Sequence, residues 1–497
     1  MGAVDRIKML LGGEPTLGVL LERLAAVHDD TQLVEEAGDD GLRLTFAEGA
    51  ERVDRLAAGI AAKIEPGDRV VLNVPNGYDL FLCCLAACRT GGVAVPVNDK
   101  MRDAEIEHVV TDSGATLVVR DPNDVLADDG LGDERVTAVQ ADDVAGIFYT
   151  SGTTGLPKGA RLTHHALVGM TARSAGLPLR FAREVVTGMP VAHIAGFTLL
   201  VVAMCGGVPV FLLRRFNPIA ALDAIESRRA TAFIGVPAMY RMMEEAGAGE
   251  RDLRSVRLWA SGADTMPDEL VKKFQKMGAT VTLPLLGANV GEAIFVDGYG
   301  MVELAGGVAT RVSLPGFRLP LMPMPGNQMK AVDDSGDEVG MGEVGELVVK
   351  GPGALKGYHG NEDASRAVIT DDGWVRTGDL ARRGPFGLVT LAGRKKHVIK
   401  HGGYSVFAVE VEAQLEQHPD VAEAAVIGLP DSRKGEIPAA VVRLRAGASL
   451  GQDELIAWAQ EQMADYKVPA RVVFVGEMPR TGTDKVQKDA LRELFAT

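Results

Sequence analysis

A glycine- and hydroxyl-rich run behind an apolar stretch restricts the fold of this 497-residue chain more than any other feature. Residues 144–148 are typical of a buried β-strand, and residues 151–159 contain three glycines, three hydroxyl side chains and Lys158. Glycines let a backbone approach a ligand closely, and hydroxyl and ammonium groups donate to phosphate oxygens. The run is not a Walker A loop, because Gly159 follows Lys158 where that motif requires Ser or Thr. We therefore expect a strand that leads into a phosphate-binding loop.

Length, charge and cysteine content narrow the class of protein. A chain of 497 residues is too long for a single hydrophobic core, so two or more domains are expected. The net charge of −15 disfavours nucleic acid or an anionic membrane as the main partner. Three of the four cysteines crowd the apolar residues 80–88, at a spacing that suits neither zinc nor a disulfide framework. This pattern favours a reducing, cytoplasmic location.

One apolar segment, residues 195–213, has the length of a membrane span. Gly206, Gly207 and Pro209 interrupt it and leave a helix of about ten residues followed by a short strand, too short to cross a bilayer. The N-terminal residues lack the pattern of a signal peptide. We therefore predict no integral membrane segment.

The order of predicted elements indicates more than one kind of domain. Strand-like and helix-like segments alternate between residues 42 and 120, which is typical of α/β architecture. From about residue 344, short strands separated by glycine-bearing turns indicate a compact β subdomain. The last hundred residues have the pattern of a small α+β unit. The boundary that we favour is the polar junction at residues 393–396.

A second constellation, residues 297–303, reads Asp-Gly-Tyr-Gly-Met-Val-Glu. Tyr299 stands between two glycines, so its ring can lie where the backbone closely approaches a flat ligand such as adenine. Glu303 offers a hard oxygen ligand to Mg²⁺, which binds one or two carboxylates together with phosphates and water. A turn with a buried tyrosine is the alternative reading of this run taken by itself.

Further motifs follow in residues 374–380, which contain Thr-Gly-Asp, in residues 393–397, Gly-Arg-Lys-Lys-His, and in residues 479–486, which contain Lys485. Residues 149–159 match the signature loop of the adenylate-forming (ANL) enzymes without a mismatch, and the later motifs resemble those of that family in their order. The resemblance extends over roughly residues 40–490 and indicates an acyl-CoA synthetase.

The resemblance implies an α/β multidomain fold. A large N-terminal domain of β subdomains flanked by helices would span residues 1–393, and residues 394–398 would form a hinge. A small mobile α+β domain carrying the catalytic lysine would span residues 399–497. The implied activity is ATP- and Mg²⁺-dependent activation of a carboxylic acid to acyl-AMP, followed by transfer to coenzyme A.

The resemblance also implies roles for individual residues. The catalytic residues would be Lys485, Glu303, Thr150 and His193, with Glu303 as the metal ligand. Asp379 and Arg394 would bind the ribose. The nucleotide would further contact the phosphate loop, an adenine-side loop and the second constellation, namely Thr150, Ser151, Gly152, Thr153, Thr154, Gly155, Lys158, Gly262, Ala263, Asp297, Gly298, Tyr299, Gly300 and Met301.

The same resemblance also implies which residues form the hinge and the CoA-side segment, and which residues line the acyl pocket. The hinge would lie at Lys396, and the segment that admits CoA would include Gly402, Gly403 and Tyr404. The acyl pocket is largely apolar and lacks an Asp near His193, which disfavours an amino acid and favours a fatty or other hydrophobic acid. Its predicted residues are His193, Phe197, Pro237, Tyr240, Gly262 and Val302.

Two departures from the family pattern keep alternatives open. Val302 stands where threonine is usual, and Asp484 stands where glycine is usual. The alternatives are a ligase that loads a carrier protein, an aryl- or alicyclic-acid CoA ligase, and a non-catalytic nucleotide-binding homologue. The expected partners are the acid, ATP and CoA. The sequence leaves the oligomeric state open, with a homodimer as one alternative.

Overall fold

The computed structural model describes residues 16–38, 40–132, 136–150, 157–174, 183–264, 266–283, 288–480 and 486–495. The chain divides into two compact units. The first contains Met1–Gln328 and Lys350–Val375, and the second contains Met329–Val349 and Arg376–Thr497.

Local sequence signals mark the start of some helices of the first unit. The second helix, for example, begins after Thr45, whose hydroxyl accepts from the Glu48 amide at 3.2 Å, while Glu48 accepts from the Thr45 amide at 2.8 Å. The helices of this unit are α1 (Leu17–His28), α2 (Phe46–Ala61), α3 (Tyr78–Arg89), α4 (Asp103–Ser113), α5 (His164–Ser174), α6 (Ile194–Cys205), α7 (Pro218–Arg228), α8 (Pro237–Glu245), α9 (Asp268–Met277) and α10 (Glu362–Val368).

The strands of the first unit form two large sheets and a small hairpin. The strands are β1 (Gln32–Glu36), β2 (Arg43–Thr45), β3 (Arg69–Leu72), β4 (Val93–Pro96), β5 (Leu117–Val119), β6 (Val144–Thr150), β7 (Lys158–Thr163), β8 (Val185–Thr187), β9 (Val210–Leu212), β10 (Ala232–Gly235), β11 (Leu258–Ser261), β12 (Val281–Leu283), β13 (Ala288–Val290), β14 (Ile294–Met301), β15 (Gly306–Leu314), β16 (Phe317–Arg318) and β17 (Met322–Pro323).

The larger sheet is parallel in the middle and has antiparallel strands at both ends, whereas the smaller sheet is parallel from β5 to β6 and has one antiparallel strand, β7, at its other edge. The larger has the order β16-β15-β14-β11-β10-β8-β9-β1-β2, with β17 beside β15, and the smaller has the order β5-β3-β4-β6-β7. Strands β11 and β14 are parallel neighbours, and β6 and β7 form an antiparallel hairpin. Consequently, the carboxyl ends of β11 and β14 lie side by side, at the edge where α/β sheets commonly bind ligands.

The core of the first unit explains the apolar segments of the sequence. Helices α8 and α9 pack on the larger sheet through a cluster of buried aromatic rings, namely Phe233, Tyr240, Trp259, Phe274 and Phe295.

All four cysteines are buried and free, as predicted. Residues 195–213 form α6 and then β9, which agrees with the predicted helix and strand. Within the described ranges, no helix is long and apolar enough to cross a membrane.

The second unit contains the predicted β subdomain and the C-terminal α+β fold. One sheet has the order β18-β19-β20-β21, and the other has the order β23-β22-β25-β24 with β26 parallel to β25. The elements are β18 (Gln328–Val332), β19 (Val344–Lys350), β20 (Val375–Arg383), β21 (Val389–Arg394), β22 (Val398–His401), β23 (Tyr404–Phe407), α11 (Ala408–Leu415), β24 (Val421–Asp431), β25 (Gly435–Leu444), α12 (Gln452–Gln462), β26 (Arg471–Phe474) and α13 (Lys488–Leu491).

The predicted fold class, a large N-terminal α/β part followed by a smaller α+β part, is confirmed. The domain boundary at residues 394–398 stays a prediction. In the division into compact units, the sheet that ends at Arg394 belongs to the same unit as the C-terminal elements.

Candidate active site

The predicted phosphate loop lies in the sequence between β6 and β7, which pair as a hairpin. Thr150 and Lys158 are directly paired in the ladder, so both predicted residues flank the loop. On one arm, the hydroxyl of Tyr149 donates to Asp112 Oδ2 at 2.6 Å. On the other arm, His108 Nε2 donates to the Pro157 carbonyl oxygen at 3.0 Å. Helix α4 thus contacts both arms. The predicted loop residues Ser151, Gly152, Thr153, Thr154 and Gly155 lie outside the described residues.

A segment from late in the first unit pairs with β7 of this hairpin through a short antiparallel bridge. The amide of Arg161 donates to the Gly357 carbonyl at 3.0 Å, and the amide of His359 donates to the Gly159 carbonyl at 2.7 Å. Tyr358 is therefore bridged to Ala160 on β7. Its ring lies under Lys158, whose ammonium nitrogen is 5.5 Å from the ring centroid.

Glu303 meets the same tyrosine from the other sheet. Strand β14 ends at Met301, and one helical turn, Val302–Leu304, then presents a Glu303 side chain that is 8% exposed. The Tyr358 hydroxyl donates to Glu303 Oε1 at 2.7 Å, and the Leu355 amide donates to the Glu303 carbonyl at 2.9 Å. Lys158 and Glu303 therefore both contact Tyr358, and the three residues form one cluster that contains a cation and a buried carboxylate.

The donor set of this cluster fits Mg²⁺ in an enzyme that binds nucleotide. Among the described residues, no three His, Cys, Asp or Glu side chains come together as a metal site. Mg²⁺ nevertheless needs only one or two protein carboxylates when substrate phosphates and water complete its coordination. Glu303 could supply such a carboxylate beside the phosphate loop.

The backbones of β11 and β14 approach each other closely at their carboxyl ends. Ser261 is paired with Asp297, and a Cβ atom on Gly262 would lie 3.5 Å from the Gly298 carbonyl oxygen. Ala263 has a φ of +68°, in the left-handed region. A Cβ atom on Gly300 would lie 1.8 Å from the Gly306 carbonyl oxygen, so only glycine fits there. The predicted adenine-side residues Gly262, Ala263, Gly298, Tyr299, Gly300 and Met301 thus share one edge of the larger sheet.

Asp297 lies in an ionic cluster that the sequence did not indicate. Its Oδ2 accepts from Arg318 Nη2 at 2.7 Å and from Arg311 Nε at 3.2 Å. Burial raises the pKa of Asp297, while the charge of Arg311 opposes this shift. Arg318 also pairs with Asp268 at the start of α9, so the cluster ties the β15–β16 turn to that helix. A nucleotide contact of Asp297 stays a prediction.

His193 and Phe197 occupy the first turn of α6. His193 caps the helix, and its Nδ1 accepts from the Ala195 amide at 3.3 Å, which places the proton of the neutral ring on Nε2. Phe197 is 1% exposed, and its centroid is 5.2 Å from those of Phe81 and Phe148. It packs in the core between α3 and β6. Their places in an acyl pocket stay predictions.

Three further predicted pocket residues, Pro237, Tyr240 and Val302, are buried, and Gly262 is partly buried. Pro237 begins α8, and Tyr240, one turn later, donates its hydroxyl to the Ala260 carbonyl at 2.7 Å. Tyr240 belongs to the aromatic core described above and is completely buried. Val302 is 9% exposed and directly precedes Glu303. Their contact with a substrate likewise stays a prediction.

In the second unit, the two residues predicted to bind ribose form an ion pair. Asp379 on β20 is the ladder partner of Arg394 on β21, and Arg394 Nε is 2.6 Å from Asp379 Oδ1. The Asp379 amide donates to the Thr377 hydroxyl at 3.0 Å, and Gly378 has a φ of +68°. Asp379 is buried, with an exposed fraction of 8%.

The predicted hinge residue lies in a short turn rich in positive charge. Lys396 is in the middle of a 3₁₀ turn, Lys395–His397, and burial lowers its pKa. His397 follows it, and its pKa falls to about 3 because of burial and four surrounding cations, Lys488, Lys396, Arg394 and Arg492. His397 therefore stays neutral at physiological pH.

The segment predicted to admit CoA is a tight hairpin. Gly402 and Gly403 have φ values of +56° and +86°, and they connect the ladder partners His401 and Tyr404. Two consecutive positive φ values are typical of a two-residue hairpin turn. Tyr404 is 57% exposed, and its ring stacks on Tyr466 at 4.4 Å.

Lys485 lies outside the described residues, but the ends of its loop are anchored. Arg480 and Val486 form an antiparallel bridge across residues 481–485. Arg480 Nη2 donates to Glu423 at 2.8 Å, and Lys488 forms an ion pair with Glu412 on α11.

Reasoning from the sequence missed Tyr358, His108 and Asp112. Gly357-Tyr358 carries no local pattern that ties it to Glu303, which is 55 residues away. His108 and Asp112 have the i, i+4 spacing of one helix face, which was a usable but weak signal.

Comparison with known proteins finds relatives over most of the chain. A model of the AMP-binding enzyme family matches residues 21–359, and a model of the AMP-binding enzyme C-terminal domain matches residues 410–485. The chain is 35% identical to a feruloyl-CoA synthase from Amycolatopsis sp, over 92% of this chain and 94% of the relative. It is 29% identical to a long-chain-fatty-acid–CoA ligase from Mycobacterium tuberculosis, over 97% and 98% of the two chains. The crystal structure of ATP-bound MatB from Rhodopseudomonas palustris superposes with a TM-score of 0.82 at 28% identity, over 96% and 99% of the chains.

Proposed function

Because the chain belongs to the AMP-binding enzyme family, as an AMP-forming acid–thiol ligase, we propose that it converts a hydrophobic monocarboxylic acid to its CoA thioester. The observation that carries the proposal is the cluster of Lys158, Tyr358 and Glu303 at the base of the phosphate loop. It provides the two charges that ATP and its magnesium ion require.

In the first half-reaction, the substrate carboxylate attacks the α-phosphorus of ATP in line, and pyrophosphate leaves. Negative charge develops on the phosphoryl oxygens, so catalysis rests on positioning and on preorganised positive charge. Lys158 and the loop hydroxyls hold the phosphates, and Asp379 accepts from the ribose hydroxyls. Lys485 stabilises the transferring group. Mg²⁺ on Glu303, when bound, neutralises phosphate charge.

In the second half-reaction, the CoA thiol attacks the carbonyl of the acyl-adenylate, and AMP leaves. The acyl-adenylate is a mixed anhydride, so its carbonyl is already activated. We propose that residues 399–497 turn about a hinge at residues 394–398, which withdraws Lys485 and lets the segment with Gly402, Gly403 and Tyr404 approach the site.

The acid is hydrophobic, because the predicted pocket residues His193, Phe197, Pro237, Tyr240 and Val302 include no fixed charge to pair with a second carboxylate. The sequence favoured a fatty acid. The identity of 35% to a feruloyl-CoA synthase, against 29% to a long-chain-fatty-acid–CoA ligase, favours the aryl-acid alternative. We therefore propose an aryl acid as the first candidate and a fatty acid as the second.

Pyrophosphate release with ATP and Mg²⁺ tests the function, measured over a panel of aryl, alicyclic and fatty acids with and without CoA. We expect release that depends on the acid, and AMP and acyl-CoA in equal amounts when CoA is present. Release without any response to CoA would point to a carrier-protein acceptor. ATP binding without release for any acid would contradict the ligase. Glu303→Gln serves as the inactive control.

A further inference from the structure

Tyr358 contacts Glu303 through its hydroxyl and lies outside every motif considered so far. The side chain is 6% exposed, and the O–H donates to Glu303 Oε1 at 2.7 Å. Leu355, three residues earlier, donates its amide to the Glu303 carbonyl. One short segment therefore holds both the main chain and the side chain of the proposed metal ligand.

The ring of the same tyrosine contacts the lysine of the phosphate loop. The Lys158 ammonium lies 5.5 Å from the ring centroid, within the range of a cation–π interaction. The main chain at Tyr358 is held in place, because the segment is hydrogen-bonded to β7 on both sides of this residue. A single side chain thus connects the two charges that flank the phosphates.

The Tyr358 hydroxyl stays protonated, and so remains a hydrogen-bond donor, over the whole physiological pH range. Burial raises the pKa of Tyr358, and the Glu303 charge with its hydrogen bond raises it further. A neutral donor that occupies one carboxylate oxygen restricts the rotation of the carboxylate. Such orienting partners contribute substantially to metal affinity, and their loss typically weakens it by ten- to a hundredfold.

We infer that Tyr358 is a positioning residue whose hydroxyl orients Glu303 toward Mg²⁺ and whose ring holds the Lys158 ammonium beside the phosphates of ATP. This inference rests on the proposed function, because it assigns a supporting role within the same site. It predicts that the hydroxyl and the ring have separable effects.

Two variants separate these effects. Tyr358→Phe keeps the ring and removes only the donor, so the Mg²⁺ concentration that half-saturates ATP binding should rise about tenfold. At saturating Mg²⁺, its Kd for ATP should stay within twofold of the wild type. Tyr358→Leu also removes the ring, so its Kd for ATP should rise about threefold even at saturating Mg²⁺. Tyr78→Phe, at another buried tyrosine of the same unit, serves as the matched control and should change neither value.

The readout is equilibrium binding of ATP in titrations with Mg²⁺, without any acid present. The inference is overturned if the Mg²⁺ dependence of ATP binding is unchanged in Tyr358→Phe. It is also overturned if Tyr78→Phe shows an equal shift, or if ATP binding by the wild type does not depend on Mg²⁺. Melting temperatures of the variants identify a general loss of folding. Pyrophosphate release is measured in a separate experiment. A wild-type protein that binds Mg²⁺ and ATP but activates no acid would contradict the proposed function. The binding titrations would still decide whether Tyr358 orients Glu303.

Discussion

His108 Nε2 donates a hydrogen bond to the carbonyl oxygen of Pro157 over 3.0 Å. Pro157 immediately precedes Lys158, so this bond fixes the end of the phosphate loop to α4. A proline carbonyl can only accept, and the imidazole therefore carries its proton on Nε2.

We expect His108→Leu to raise the KM for ATP about fivefold with little change in kcat. The reason is that a partly buried hydrogen bond contributes about 1 kcal/mol, and its loss frees the loop before ATP binds. His108→Gln can still donate to the same carbonyl and should recover part of the effect. Glu107→Gln, an exposed neighbour on α4, is the control, and an equal effect there would contradict the loop-anchoring role.

Asp379→Asn should weaken ATP binding by ten- to a hundredfold. The carboxylate is predicted to accept from both ribose hydroxyls, and hydrogen bonds to charged groups contribute about 1.5–3 kcal/mol. Calorimetric titration with ATP measures the change. Arg394→Lys keeps the charge beside Asp379 but loses the directed contact from Nε, so it should show a smaller loss. Wild-type affinity in Asp379→Asn would exclude this carboxylate from the ribose site.

Lys485→Ala should abolish most of the first half-reaction and leave the second largely intact. The ammonium is needed where negative charge develops on the α-phosphate, whereas the acyl-adenylate already carries an activated carbonyl. The measurement compares pyrophosphate release with CoA thioester formation from supplied acyl-adenylate. Equal losses in both would refute the assigned role.

Lys396→Pro should slow the second half-reaction and leave the first largely intact, the opposite of the effect expected for Lys485→Ala. Proline restricts the backbone at the centre of the turn Lys395–His397, so a rotation needed before thioester formation should slow while adenylation continues. The two half-reactions are timed separately by rapid quench. A substitution of the adjacent Lys395 by proline tests whether the effect belongs to one position, and equal slowing of both steps by Lys396→Pro would place the hinge elsewhere.

His164 should make the first unit sensitive to acid. It is 1% exposed, its Nδ1 accepts from the Leu17 amide at 3.2 Å, and burial lowers its pKa to about 4. In the unfolded chain, the His164 imidazole takes up a proton near pH 6.5, whereas in the folded chain it does so only near pH 4. The free energy of unfolding therefore falls as the pH falls from about 6.5 toward 4, by about 3 kcal/mol at most.

His164→Asn keeps an acceptor for Leu17 but cannot be protonated. Its melting temperature should therefore fall less between pH 7 and pH 5 than that of the wild type. Scanning fluorimetry at both pH values checks this expectation, and parallel losses in the two proteins would show that His164 does not carry the acid sensitivity.

Motifs with a strong local meaning were predictable from the sequence. The strand and loop at residues 144–159, the interrupted apolar stretch at residues 195–213 and the order of the later motifs all depend on short-range chemistry. The family and the two-part α/β architecture that they predicted are confirmed. Ladder pairing places Thr150 next to Lys158 and Asp379 next to Arg394, while their roles in binding a nucleotide stay predictions.

Local pattern determined where strands, turns and glycine-bearing loops form, because backbone preference and hydrophobic periodicity are short-range properties of the chain. Only the tertiary structure decided that Tyr358 meets Glu303, that His108 reaches Pro157 and that Arg318 engages Asp297. Each of these contacts joins different elements, and its geometry depends on strand order, register and the packing of a helix on a sheet. Those quantities are set by burial of the whole core, which no short stretch of sequence encodes.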